Sequence, residues 1–184
     1  MDFSSSKTKE NLEYAFAGES QAATKYGYYA KVARSEGYQQ IGNIFDETSG
    51  NETQHAKMWF KTLRNDGDVK GKIPSTLANL ADAAAGENEE WIRMYKEFAE
   101  VAHTEGFKNI AILFERVGEV ERHHEDRYRT LIDHLENGTV FKNDNVVAWK
   151  CLKCGYIHFG TEPPEVCPAC SHPKAYYELR CENY

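Results

Sequence analysis

Two copies of a Glu-x-x-His motif, Glu52-x-x-His55 and Glu121-x-x-His124, are the residues of this chain best placed to do chemistry. A spacing of three puts carboxylate and imidazole one turn apart on the same face of a helix. Around the first pair, steps of three and four collect Ile41, Phe45, Thr48 and Trp59. Around the second they collect Ile110, Phe114, Val117, Tyr128, Leu131 and Leu135. Each pair therefore interrupts an apolar stripe and is expected on a buried face. A buried carboxylate is costly unless it is paired or ligates a metal. Oxygen donors with imidazole suit iron or manganese and also admit zinc.

Further carboxylates complete the pattern. Glu19 and Glu87 lie on other helical stripes, and Glu90 follows one turn beyond Glu87. One Glu on each of two helices, with Glu-x-x-His on each of two others, is the ligand arrangement of a ferritin-like dimetal bundle. Several carboxylates around two divalent cations also account for so much buried negative charge. Tyr26 and Tyr95 lie two turns past Glu19 and Glu87. They read either as core aromatics or as hydroxyls that hydrogen-bond a ligand carboxylate. His123 points about 100° away from His124. His103, His134, His158 and His172 have no such placement and read as ordinary surface or loop histidines.

Four helices must position these groups. The first carries Leu12, Ala15, Phe16, Glu19, Ala22, Ala23, Tyr26, Ala30 and Ala33, and Gly37 ends it. The second runs from about Gln39 to Arg64, and a long crossover follows to Pro74. The third starts near Ser75 with the stripe Leu80, Ala84, Glu87, Trp91, Met94, Phe98 and Val101. Gly106 divides it from the fourth, which ends near Asn137-Gly138.

The helices form an internal repeat with an offset of 69 residues. Tyr26, Ala30, Ala33, Ile41, Phe45, Glu52 and His55 match Tyr95, Ala99, Ala102, Ile110, Phe114, Glu121 and His124. The repeat selects His124 over His123 as the equivalent of His55. Glu19 matches Glu87 at an offset of 68, so the third helix holds one extra residue. A π-bulge is expected between Glu87 and Tyr95, since such bulges gather at functional sites. Glu90 has no carboxylate counterpart; Gln21 takes its place in the first hairpin.

The character changes after Gly138. Residues 139–148 read as a linker, and residues 149–184 as a second, cysteine-rich domain behind the bundle of residues 1–138. Cys151-x-x-Cys154 and Cys167-x-x-Cys170 are separated by twelve residues. Two such turns can close a tetrahedral four-thiolate site, suited to structural zinc or redox iron. A unit this small needs the metal to fold. Cys181 lies outside both turns and reads as a free cysteine.

The 184 residues carry a net charge of -7, which argues against a nucleic-acid partner. No apolar run is long enough for a membrane span. The N-terminus lacks the basic and apolar regions of a signal peptide, so a cytoplasmic location is expected. Five cysteines in a reducing compartment point to metal binding rather than disulfides.

Taken together, these segments resemble the rubrerythrin family over the whole chain. The residues carrying the resemblance are Phe16 to Ala22, Glu52-x-x-His55-Ala56-Lys57, Ala85-Gly86-Glu87-x-x-Glu90, Glu121-x-x-His124-Glu125, Cys151-x-x-Cys154-Gly155-Tyr156 and Cys167-Pro168-x-Cys170. The resemblance implies a mainly α chain, a ferritin-like four-helix bundle with a small rubredoxin-like domain at its C-terminus. It implies a non-haem di-iron peroxidase that reduces hydrogen peroxide to water in oxidative-stress defence. The implied di-iron ligands are Glu19, Glu52, Glu87, Glu90, Glu121 and His124, with His55 exchanging with Glu90 as oxidation state changes. A third iron at Cys151, Cys154, Cys167 and Cys170, replaceable by zinc, would pass electrons to the pair. A reductase or rubredoxin-type electron donor and a homodimer are implied partners.

Overall fold

The computed structural model describes residues 2–183. The chain divides into two compact units, Met1–Pro74 and Ser75–Tyr184.

The first unit is an antiparallel hairpin of α1 (Lys7–Ser35) and α2 (Gln39–Leu63). Ser6 caps α1 by accepting the Lys9 amide at 3.2 Å. Gly37 closes it with a φ of 91°, a conformation open to glycine at little cost, and the Tyr38 amide reaches back to Ala33 O at 2.8 Å. The seam between the helices is built from small residues. Ala30, Ala33, Gly42 and Ala56 are buried, and a Cβ added at Gly42 would stand 3.2 Å from Ala30 O.

The second unit begins with α3 (Thr76–Glu89), capped by Ser75, whose hydroxyl accepts the Ala78 amide at 3.3 Å. A five-residue π-helix, Glu90–Met94, follows directly and leads into α4 (Tyr95–Thr104). The bulge expected from the slipped repeat is thus present, between Glu87 and Tyr95. Gly106 then turns the chain into α5 (Lys108–Glu136), which runs back along α3 and α4. The small seam recurs at the repeat spacing: Ala99, Ala102 and Ala111 are buried where Ala30, Ala33 and Gly42 are.

The apolar stripes are less buried than their periodicity predicts. Ile41, Phe98, Val101, Ile110, Leu131 and Leu135 are each more than a third exposed. A helical hairpin covers one seam per helix, and close approach selects alanine and glycine for it. The larger side chains flank the seam.

After α5 comes a three-stranded antiparallel sheet in the order β2-β1-β3, from β1 (Val147–Cys151), β2 (Ile157–Gly160) and β3 (Tyr177–Leu179). Trp149 pairs with His158 and Leu179, and Cys151 pairs with Tyr177. Trp149, Cys151, Cys167 and Tyr177 form its small core. The fold class read from the sequence holds: mainly α, with ferritin-like helices followed by a small β/loop unit bearing four cysteines. Among the described residues, no helix is long and apolar enough to cross a membrane.

Candidate metal centres

Each hairpin brings together three ligand-type side chains. In the first, Glu19 from α1 meets Glu52 and His55 from α2; in the second, Glu87 from α3 meets Glu121 and His124 from α5. The two groups match in detail. His55 Nδ1 stands 2.7 Å from Glu52 and 3.8 Å from Glu19. His124 Nδ1 stands 2.7 Å from Glu121 and 3.5 Å from Glu87. One potential ligand atom from each residue lies within 4.8 Å of the others in its group. Two carboxylates and one imidazole this close suit a divalent cation such as iron.

The tyrosines repeat as well. Tyr26 packs on Tyr29 and Phe45, each at 6.1 Å between ring centres. Tyr95 packs on Phe98 at 6.4 Å and on Phe114 at 6.1 Å. Burial, then the charges of Glu90, Glu121 and Glu87, push the Tyr95 hydroxyl up, so it stays protonated among those carboxylates. Tyr95 therefore both packs in its hairpin and brings a hydroxyl near the ligand-type group.

Glu90, the first residue of the π-helix, is outside the three-residue group yet is affected by it. Its carboxyl is pushed up, first by burial and then by Glu121, while His124 opposes the shift. Glu87 is pushed up too, by burial and by Glu121. The folded chain consequently holds more protons than the unfolded one from the ordinary carboxylate range up to these raised values. Metal-free stability should then rise as pH falls through that window, because ∂ΔG/∂pH is negative where the native state binds more protons. Metal-loaded protein should show the opposite sign, since protons compete for the ligands. Thermal melts of both forms between about pH 7 and about pH 5 check this; parallel trends would contradict it.

A further residue beside this group carries a buried hydrogen-bond network that sequence reasoning missed. Glu125, next to His124, is 4% exposed. It accepts from Asn88 Nδ2 at 3.0 and 2.9 Å, from the Trp91 indole at 2.5 Å and from Arg129 Nε at 2.6 Å. Burial pushes its carboxyl up, but these donors more than reverse that and hold it below the ordinary range. Asn88 is on α3 and Trp91 on the π-helix, so the carboxylate of α5 ties down the segment that carries Glu90. Gly118, one turn before Glu121 on α5, lets Tyr95 approach closely; a Cβ there would meet Tyr95 Cβ at 3.3 Å.

The four cysteines form a separate site with its own internal symmetry. The Gly155 amide donates to Cys151 O and the Ser171 amide to Cys167 O, each at 2.9 Å. The Cys151 amide donates to Tyr156 O at 2.9 Å and the Cys167 amide to His172 O at 2.8 Å. Gly155 and Ser171 take positive φ, 79° and 60°. Two like turns thus face one another. Cys151 Sγ is 3.7 Å from Cys170 Sγ, and Cys154 Sγ is 3.7 Å from Cys167 Sγ. A disulfide needs about 2.05 Å. A tetrahedron with metal–sulfur bonds of about 2.3 Å has edges of about 3.8 Å, so the sulfurs fit a bound metal. Burial pushes the Cys167 thiol up, but the Tyr177 hydroxyl facing it and the Ala169 and Cys170 amides bring it down to about 6. Cys170 moves to about 12: the His172 amide favours its thiolate, and burial with the three neighbouring sulfurs outweighs that.

No other histidine side chain among the described residues joins these ligand-type groups. His123 is exposed. His103 pairs with Glu115 at 3.1 Å and His134 with Thr139 at 2.8 Å. His172 stacks edge-on against Tyr176 at 4.9 Å. Cys181 is exposed and free.

Known proteins resemble this chain in both its helical part and its cysteine-bearing part. A family model described as rubrerythrin matches residues 10–132, and one described as the rubredoxin-like domain of rubrerythrin matches residues 149–178. Rubrerythrin-1 of Clostridium acetobutylicum is 50% identical over 97% of this chain and 96% of its own. Rubrerythrin of Porphyromonas gingivalis is 47% identical over 97% and 92%. Among solved structures, a mixed-valence state of nigerythrin is 33% identical with a TM-score of 0.35, covering 95% of this chain and 87% of that one. With both family models matched in order and near-full-length relatives at this level of identity, the chain belongs to the rubrerythrin family.

Proposed function

We propose that this chain is a peroxidase that reduces hydrogen peroxide to water, with two electrons and two protons consumed for each peroxide. The observation that carries the proposal is the occurrence, in one chain, of two matched Glu-Glu-His groups and a four-cysteine site with metal-sized edges. The first can hold metals that act on an oxygen substrate; the second can hold one that carries an electron.

In this reading Glu19, Glu52 and His55, with their counterparts Glu87, Glu121 and His124, hold two irons. Iron bound there supplies Lewis acidity and the electrons that cleaving an oxygen–oxygen bond needs. The chain's own residues do the rest. Glu90 and His55 are the two groups proposed to alternate as ligands. Glu90 suits this because it is held close to Glu121 and His124 without belonging to their group. Tyr95 keeps its proton and can donate a hydrogen bond at its hydroxyl to a carboxylate or to substrate oxygen; Tyr26 is proposed to do the same in the first hairpin. Cys151, Cys154, Cys167 and Cys170 would hold a single iron, which would supply one-electron redox chemistry between a reductase or rubredoxin-type donor and the bundle metals. Thiols placed for a metal fit a reducing, cytoplasmic setting and a role in oxidative-stress defence.

A homodimer is part of the proposal. Large apolar side chains such as Ile41, Ile44, Phe98 and Ile110 are exposed, and covering them favours association. Sedimentation of the metal-loaded protein at the mass of two chains is expected.

The test is steady-state consumption of hydrogen peroxide by iron-loaded protein with a reductase as electron source. Turnover dependent on both iron sites is expected. Colourless protein holding zinc at the cysteines after anaerobic growth on iron would instead favour a non-enzymatic module. Replacing His55 by alanine should slow turnover while bound metal is retained. Complete metal loss in that variant would contradict the ligand alternation.

A further inference from the structure

Tyr177 has a buried hydroxyl in search of an acceptor. The residue is 4% exposed, sits on β3 directly opposite Cys151, and packs with Trp149, Cys151 and Cys167. The indole of Trp149, its neighbour in this core, has its acceptor in Gly160 O at 3.0 Å. The Tyr177 hydroxyl has none in hydrogen-bond geometry among the described residues. Leaving a buried hydroxyl unmatched is destabilising, so such a group calls for a reason. A phenylalanine would fill the same space without that cost.

The polar group this hydroxyl faces is the Cys167 sulfur. A neutral thiol is a weak acceptor. As a metal-bound thiolate it carries negative charge and accepts readily. We propose that Tyr177 donates a hydrogen bond to the Cys167 sulfur once the four cysteines hold iron, and that this bond raises the reduction potential of that iron. Reduction takes the ferric site to ferrous by one electron, with no bond or proton exchanged at the sulfurs. The site gains one negative charge, and a donor aimed at a ligand sulfur stabilises the more negative state more. Tyr177 is a positioning residue in this scheme, acting on the iron through Cys167. The inference rests on the proposed reading of the four-cysteine site as a redox iron.

The test is an anaerobic spectroelectrochemical titration of the full-length iron-loaded protein and its Tyr177→Phe variant, following the thiolate-to-iron absorption. The variant should fall in potential. A shift of about tenfold in the reduced-to-oxidised ratio at fixed electrode potential is expected, which is about 59 mV for one electron. Iron–sulfur stretching bands in resonance Raman spectra should also shift between water and deuterium oxide in the parent protein, and less so in the variant. Equal or higher potential in the variant, with a reversible iron site in both proteins, overturns the role of Tyr177 and leaves the redox reading standing. A parent protein whose cysteine-bound iron does not cycle overturns both.

Discussion

A Cys154→Ala variant loses the metal of the four-cysteine site and, with it, the fold of residues 147–179. Cys154 is exposed, so its side chain contributes little packing of its own. The core it serves is Trp149, Cys151, Cys167 and Tyr177, flanked by Val147 and Cys170. A core this small does not offset the chain entropy of ordering the unit. Metal bound to four such ligands contributes about 10–16 kcal/mol of apparent free energy at neutral pH, and without a preformed site in the unfolded chain that is folding free energy. Near-ultraviolet circular dichroism from Trp149 together with metal content measures the outcome. Loss of both, with helical signal kept, is expected. A native Trp149 signal in metal-free variant would contradict the account.

The second large effect is at Glu125. Removing its carboxylate leaves the Trp91 indole and the Asn88 amide without their acceptor beside a buried position. Arg129, whose side chain is 59% exposed, can turn to solvent. The expected cost is about 2–4 kcal/mol for Glu125→Ala, from lost charge-assisted hydrogen bonds and two stranded donors. A urea titration reads the stability. The variant should also bind metal less tightly in the second hairpin, because the π-helix that carries Glu90 loses its tie to α5. An unchanged midpoint and unchanged metal affinity would show that this network supports nothing at the site.

That network also shows why the two hairpins differ. At the repeat offset of 69 residues, the counterpart of Glu125 is Ala56, and both are buried. One hairpin puts a methyl group where the other puts a carboxylate with three partners. The carboxylate occurs on the side that holds the extra residue, the π-helix and Glu90. Two nearly equal ligand groups thus lie in unequal surroundings. Arg93 on the π-helix adds a further tie by pairing with Glu89 on α3.

The two Glu-Glu-His clusters are legible in the sequence because their information is local. Glu52 and His55 are three residues apart, as are Glu121 and His124, and a helix alone brings each pair together. Glu19 and Glu87 required only the hairpin. The π-helix was legible from one slipped residue in the repeat. Glu125 was not, since its partners Asn88 and Trp91 are 37 and 34 residues away and it lies among other acidic residues of α5. The depth of burial was misread for a related reason. Periodicity marks Ile41 and Ile110 as apolar but does not say that alanine and glycine fill the tightest seam of a helix pair. The metal geometry of the cysteines was implied by spacing, whereas the Tyr177 hydroxyl needed the β1–β3 register to bring it to their core.

The most direct measurement of the central claim is anaerobic stopped-flow mixing of fully ferrous protein with hydrogen peroxide or with dioxygen at equal concentration. The absorption of the cysteine-bound iron and of the dinuclear site report oxidation separately. The account predicts that peroxide oxidises the dinuclear site faster than dioxygen does, with the cysteine-bound iron following and two electrons consumed per peroxide. Faster oxidation by dioxygen, or a cysteine-bound iron that stays reduced, would contradict it.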